Sequence, residues 1–279
     1  MLICDEFVVL NLPKTGSSFV RAVIKDIFRK RYPSNTIQKI SQQFGAEQPG
    51  LKEILTHNLY IKGRRKGQHG TYIQIPEQYR DRPIVSVVRN PYSKFISGYE
   101  YKFWVKRPPV PKSILEHHFP TFPNLSMDQF VDFTRMAADN RSINDNKLGL
   151  GMQTLQFIQM FFKDPVQIMN TIDEAYINDP LRFQSDMVQV TLLRQEHLRE
   201  DLSKFLKEKG FSDEETDIVK SFKRVNQTVS KPSNVDTVWT EKALDYIHQD
   251  EKFLLDVLSS HGMTYEAPKA GSPTRKKRN

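Results

Sequence analysis

The chain has 279 residues, enough to bury a substantial core, and its 18 Phe and 10 Tyr argue against a disordered polymer. Its single cysteine, Cys4, excludes an intrachain disulfide and a cysteine-based zinc site, and the sequence has no run of about 18 apolar residues to form a membrane helix. The formal charge of +8 points to an anionic partner (nucleotide, polyanionic sugar, nucleic acid or membrane surface) without choosing among them.

Asp5 and Glu6 stand where a secretory leader would carry basic residues, so the expectation is a soluble, cytoplasmic protein. Residues 7–12 read as a buried strand and 17–31 as a helix that stops at Tyr32 and Pro33. A polar stretch over 34–50 follows, then a short helix and strand within 51–60. KGRRKGQHG, 62–70, is a basic loop with three glycines. PIVSVVR, 83–89, is a second β-branched run, and Pro91 opens a helix at the position proline favours. KRPPVPKS, 106–113, begins a helical excursion expected over about 102–178. Within it Ser126 and Gln129 form a capping box, and 153–162 is apolar enough for a buried helix.

Residues 188–193 read as a third strand. The next helix has Leu198, Leu202, Phe205 and Leu206 on one face and is closed by Gly210. Ser212 and Glu215 make a second capping box. The last helix is expected to run unbroken over 240–260, with Leu244, Ile247, Leu254 and Leu258 inward. No internal repeat is found. Residues 1–267 read as a single domain and 268–279, PKAGSPTRKKRN, as a disordered basic tail. Strands alternating with helices predict an α/β fold with a central parallel sheet flanked by helices.

The first strand runs into LPKTGSSFV, 12–20. A small-residue loop between strand and helix points several N–H groups at one spot, and the helix N-terminus adds partial positive charge; together they favour a phosphate. Gly16 lets the chain turn tightly, Ser17 and Ser18 can cap the helix or donate hydroxyl hydrogen bonds, and Lys14 supplies a mobile charge. The order is not that of a Walker A loop, because the lysine precedes the glycine. Taken alone, the segment is equally an ordinary capped helix. In the second segment, Arg89 sits at a strand's carboxyl end, where open α/β sheets bind ligands, and Ser97 follows two helical turns on. Each could be a surface or ion-paired residue. Both segments together ask for a nucleotide with phosphates at two ends.

PKTGSS resembles the 5′-phosphosulfate loop of the sulfotransferases that use 3′-phosphoadenosine-5′-phosphosulfate (PAPS), and RNPYSKFISGYEY resembles their 3′-phosphate motif. TLLRQEHLREDLSKFL is similar to a late strand and helix of the carbohydrate-type branch, the heparan and chondroitin sulfotransferases. Asn226 in RVNQTVSKPS resembles that branch's C-terminal cofactor loop. The resemblance implies a P-loop-like three-layer sandwich and in-line transfer of a sulfuryl group from PAPS to an acceptor hydroxyl on a carbohydrate. It gives Lys14 the bridging and leaving oxygens, an electrostatic role. Thr15, Gly16, Ser17 and Ser18 would wrap the 5′-phosphate, while Arg89 and Ser97, aided by Lys231, would clamp the 3′-phosphate. Ser93 and Lys94 depart from the family pattern, in which many members carry a small polar residue and then Arg.

The acceptor's proton needs a base near neutral pH, which favours histidine. His69 occupies the place where similar sequences carry their catalytic histidine; His57, in LTHNLY, is the rival and otherwise an acceptor-binding residue. Glu53 and Glu100 are the acidic alternatives. Lys62, Arg64, Arg65 and Lys66 would draw in an anionic acceptor, or form a solvated basic loop. His117, His118, His197, His248 and His261 read as surface or packing residues, and Arg194 with Glu196 as a structural ion pair or a family feature. No metal constellation and no nucleic-acid motif is found. Two other readings stay open: an ATP- and Mg²⁺-dependent kinase on a related fold, and a non-catalytic module for anionic ligands, whose binding would fall steeply with salt.

Overall fold

A computed structural model describes residues 1–33, 48–60, 65–106, 108–141, 146–223 and 238–274. The chain forms two compact units, Met1–Arg89 with Gln189–Thr228, and Asn90–Val188 with Val229–Asn279.

The first unit holds a five-stranded sheet built from β1 (Leu2–Cys4), β2 (Val8–Leu10), β3 (Leu51–Glu53), β4 (Ile84–Val88) and β5 (Val190–Arg194), in the order β3-β1-β2-β4-β5. The expected parallel pairing holds for β2, β4 and β5, with Val9 opposite Val85 and Val85 opposite Thr191. It does not hold for β1, which is antiparallel to both β2 and β3. The reason is the connection: three residues separate Cys4 from Val8, and the Cys4 N–H donates to the Phe7 carbonyl at 3.0 Å. So short a turn closes only an antiparallel hairpin, since parallel strands need a crossover of a dozen residues or more. The helix expected within 51–60 is absent. Ile54 and Thr56 instead give their N–H groups to the carbonyls of Met1 and Gly67, which keeps that segment extended.

All five residues of β4 are buried, as befits a central parallel strand. Its one polar member, Ser86, satisfies its hydroxyl on the Leu10 carbonyl at 2.8 Å. Against the sheet pack α1 (Ser17–Arg31), through Val20, Val23, Ile24 and Ile27, and two later helices, Leu198–Glu208 and Asp213–Ser221. Phe7, Phe28, Phe205 and Phe211 fill the space between. The capping box at Ser212 and Glu215 forms as expected, and Glu215 also pairs with Arg31 at 2.6 Å.

The second unit is helical. Its first helix, α2 (Pro91–Tyr101), starts at proline and is capped by Asn90, whose side chain accepts from the N–H groups of Tyr92 and Ser93. Helix α3 (Phe103–Lys106), α4 (Lys112–His118) and α5 (Met127–Asp139) follow, the last opened by the Ser126–Gln129 box. Then come α6 (Met152–Phe161), α7 (Pro165–Thr171), α8 (Glu174–Ile177) and α9 (Pro180–Asp186). With the helices of the first unit as α10 and α11, the chain closes on α12 (Glu241–Gln249) and α13 (Lys252–Ser260). Phe95, Trp104, Phe130, Phe133, Trp239 and Tyr246 form an aromatic core.

The helix expected over 240–260 is thus two helices, broken at Asp250 and Glu251. Glu251 is fully buried, and its carboxylate accepts from the N–H groups of Gln153 (2.9 Å) and Thr154 (2.7 Å), the Thr154 hydroxyl (2.8 Å) and the Tyr246 hydroxyl (2.8 Å). Breaking the helix there delivers a carboxylate to the N-terminus of α6, where the helix dipole favours it. Gly151 makes room for this approach: a Cβ there would stand 2.2 Å from Glu251 Cδ. Gly151→Ala is therefore expected to destabilise the chain by about 1–3 kcal/mol, the usual cost of overpacking. A urea midpoint equal to that of the unmodified chain would refute this.

Of the expected disordered tail, residues 268–274 are described. Val238 bridges Pro273, and the Trp239 N–H donates to the Ser272 carbonyl at 3.0 Å. Among the described residues no helix is long and apolar enough to cross a membrane.

Candidate functional site

The loop between β2 and α1 takes its form from two left-handed backbone positions, Lys14 at φ 64° and Gly16 at φ 91°. Glycine adopts such a conformation freely; for Lys14 it costs about 1–2 kcal/mol. Two buried hydroxyls stabilise the turn, for Thr15 Oγ1 (2.8 Å) and Ser17 Oγ (3.3 Å) both donate to the Leu12 carbonyl. These two side chains therefore shape the loop and do not present free hydroxyls to a ligand. The cap of α1 is Gly16, where the sequence suggested Ser17 or Ser18, and no side-chain oxygen caps the helix. No acidic residue lies in its first turn. The main-chain N–H groups at the start of α1 thus face a position with no carboxylate of the helix's own to neutralise them, and backbone of alternating hand gathers N–H groups into an anion-binding concavity. Ser18 is half-buried beside them.

The space beside Gly16 is also close to later residues. A Cβ on it would lie 3.3 Å from Gln195 Cγ and 3.5 Å from Leu198 Cδ2, so the residues following β5 close over the loop. Arg89, at the carboxyl end of β4, reaches it as well, with Nη1 a long 3.4 Å from the Lys14 carbonyl. The structure thereby brings Lys14, Gly16 and Arg89 to the carboxyl ends of the parallel strands. Ser97 lies half-buried on α2 in the second unit. In that helix Ser93 is occupied locally, its hydroxyl donating to the Asn90 carbonyl at 3.0 Å, and Lys94 is buried.

His69 is tied to the same loop. Its Nδ1 lies 2.7 Å from the main-chain carbonyl of Asn11, the residue after β2 is complete. A carbonyl only accepts, so Nδ1 carries the hydrogen, and the neutral ring keeps its lone pair at Nε2. The ring is exposed. His57 lies on the exposed side of the extended segment, with its carbonyl accepting from Gln74 Nε2 at 2.8 Å. Glu53, the acidic alternative in this unit, is ion-paired to both Arg21 and Lys25, which occupy the lone pairs a base would use. Glu100 is half-buried on α2. Arg194 makes a bidentate pair with Asp201, whose carboxylate also accepts the Arg194 N–H.

Arg65 and Lys66 are exposed beside His69. Lys62, Arg64, Asn226 and Lys231 lie outside the described residues. A scan against protein-family models finds no match to this chain, and a search of curated proteins finds none either. Among the described residues no group of three or more His, Cys, Asp and Glu is placed to hold a metal ion.

Two residues of the site escaped sequence reading. Gln195 lies over Gly16 only because β5 ends beside β4. Asn11 is an amide buried between Leu10 and Leu12, and that polar break in an apolar run was its only visible signal. Chemically, the arrangement offers main-chain donors and two cations for an anion, together with an imidazole whose basic nitrogen is set by its neighbour.

Proposed function

We propose that the chain is a sulfotransferase on a P-loop-like α/β fold, moving the sulfuryl group of PAPS to a hydroxyl of a carbohydrate acceptor. One arrangement carries this reading: at the carboxyl ends of β2 and β4 a loop with two left-handed positions has its Lys14 carbonyl against Arg89, and the Asn11 carbonyl just before that loop holds Nδ1 of His69. The residues fit such a donor. The N–H groups of the loop, with Lys14 and Ser18, would hold the 5′-phosphosulfate, and Arg89 the 3′-phosphate. PAPS supplies an activated sulfuryl group on a phosphate leaving group. Lys14 offsets the charge that grows on the leaving oxygen. His69 Nε2 takes the proton of the acceptor hydroxyl, and the imidazolium keeps its Nδ1–H on the Asn11 carbonyl, whose dipole favours the added charge. Exposed Arg65 and Lys66 suit an anionic acceptor such as a uronic acid or a sulfated sugar.

Calorimetric titration with adenosine 3′,5′-bisphosphate, against ATP plus Mg²⁺, tests the donor. The bisphosphate is expected to bind more tightly. Arg89→Ala should weaken it by roughly 10- to 100-fold, since a charge-assisted hydrogen bond contributes about 1.5–3 kcal/mol. ATP binding as tightly or more tightly would favour a kinase instead. Binding of neither nucleotide would leave the loop an ordinary strand-to-helix turn.

A further inference from the structure

Asn11 occupies a position where the pattern of β2 calls for an apolar side chain. It is fully buried, and a buried amide is costly unless its polar atoms are paired. Only half of this amide is paired: Nδ2 donates to the Gln68 carbonyl at 3.1 Å, while Oδ1 has no hydrogen-bond partner. The orientation is forced, because a carbonyl can be met only by the NH₂ end. A leucine of similar size would avoid the orphaned oxygen, but it could not hold Gln68.

The same residue's main-chain carbonyl faces His69 Nδ1 at 2.7 Å. Asn11 therefore grips two consecutive residues, Gln68 through its side chain and His69 through its backbone. One residue earlier, Gly67 is paired with Thr56 in both directions, N–H to carbonyl at 2.8 and 2.9 Å. The segment that carries His69 is thus fixed at three successive positions to two different strand-like segments. A histidine on a loop with three glycines would otherwise sample both tautomers and many ring orientations.

We propose that Asn11 is the positioning residue for His69: its side chain holds Gln68 so that the imidazole meets the Asn11 carbonyl, keeping hydrogen on Nδ1 and the lone pair on Nε2. As a statement about catalysis this rests on the reading of His69 as the base; as a statement about the tautomer it does not. The second arrangement is what the first requires, for a base must present its free nitrogen outward before the acceptor arrives.

The test is a long-range ¹H–¹⁵N correlation spectrum of the full chain labelled in histidine, at a pH that leaves imidazole neutral. The chain has seven histidines, and His69 is assigned as the signal missing from His69→Gln. The expected result is a protonated Nδ1 and a bare Nε2. In Asn11→Ser and Asn11→Leu, with unchanged circular dichroism, the signal should move to a mixture of both tautomers. A bare Nδ1 in the unmodified protein would overturn the proposal, and so would the original tautomer surviving in both folded variants. If neither variant folds, Asn11 supports the fold and not His69, and the proposal falls.

With PAPS as donor, Asn11→Ser should lower kcat roughly 10- to 100-fold at unchanged donor KM, by analogy with the partners that orient metal-bound histidines. Failure of bisphosphate binding with the tautomer result intact would sink the transferase reading alone. Bisphosphate binding with the wrong tautomer would sink this proposal alone.

Discussion

His69→Ala is expected to lower kcat for sulfuryl transfer by roughly 10²- to 10⁴-fold, the contribution of a general base, with no loss of affinity for adenosine 3′,5′-bisphosphate. The division follows from the geometry. The proposed anion site consists of the N–H groups of the β2–α1 loop, Lys14 and Arg89, none of which is His69, whereas the imidazole is held against the Asn11 carbonyl. Transfer measured with labelled PAPS and a panel of sugar acceptors provides kcat, and calorimetry provides the affinity. His57→Ala is the discriminating comparison. An equal or larger loss of kcat there would move the role of base to His57 and leave His69 as a neighbour of the loop.

Glu251→Ala is expected to cost at least about 3 kcal/mol of stability, because it strands four buried donors that each lose their acceptor. The urea midpoint should fall at unchanged slope. Glu251→Gln keeps the volume but turns an NH₂ group toward those donors, so it should be destabilised as well, by less. Burial pushes the Glu251 carboxyl above the usual carboxylate range, and it also raises the neighbouring Tyr246 hydroxyl well above its ordinary value, so the tyrosine remains a donor. A carboxyl raised in the folded state contributes its full stability below the unfolded value, about 4.3, and loses it as pH climbs through the folded one. The deficit of Glu251→Gln relative to the unmodified protein should therefore narrow as pH rises. A glutamine variant as stable as the parent at every pH would mean that the carboxylate is not what holds the start of α6.

Much of this molecule was legible in its sequence, since local rules determine it. The apolar, β-branched runs specify β2 and β4, and Pro91 with Asn90 specifies the start of α2. Ser126 with Gln129 and Ser212 with Glu215 close their capping boxes where the letters place them, because every atom involved lies within four residues. The Lys-Thr-Gly-Ser-Ser loop was visible for the same reason: a small-residue turn between a strand and a helix aims its own N–H groups.

Long-range pairings decided the rest. That β1 is a strand at all is settled by its pairing with β3, some fifty residues on, since its three residues carry too little pattern to reveal it; once it is a strand, the short turn to β2 sets its direction. The break at Glu251 follows from a contact with a helix start almost a hundred residues earlier in the chain, against a local sequence that continues the helical pattern. The family resemblance made Thr15 and Ser17 ligands of a phosphate, and only the folded loop shows their hydroxyls bonded to Leu12. The ring setting of His69 was of the same kind. The sequence determined that His57 and His69 lie near a basic run; the contacts of Asn11 with Gln68 and His69 decided how the His69 ring is held, because a tautomer is set by a partner in space and not by a neighbour in the chain.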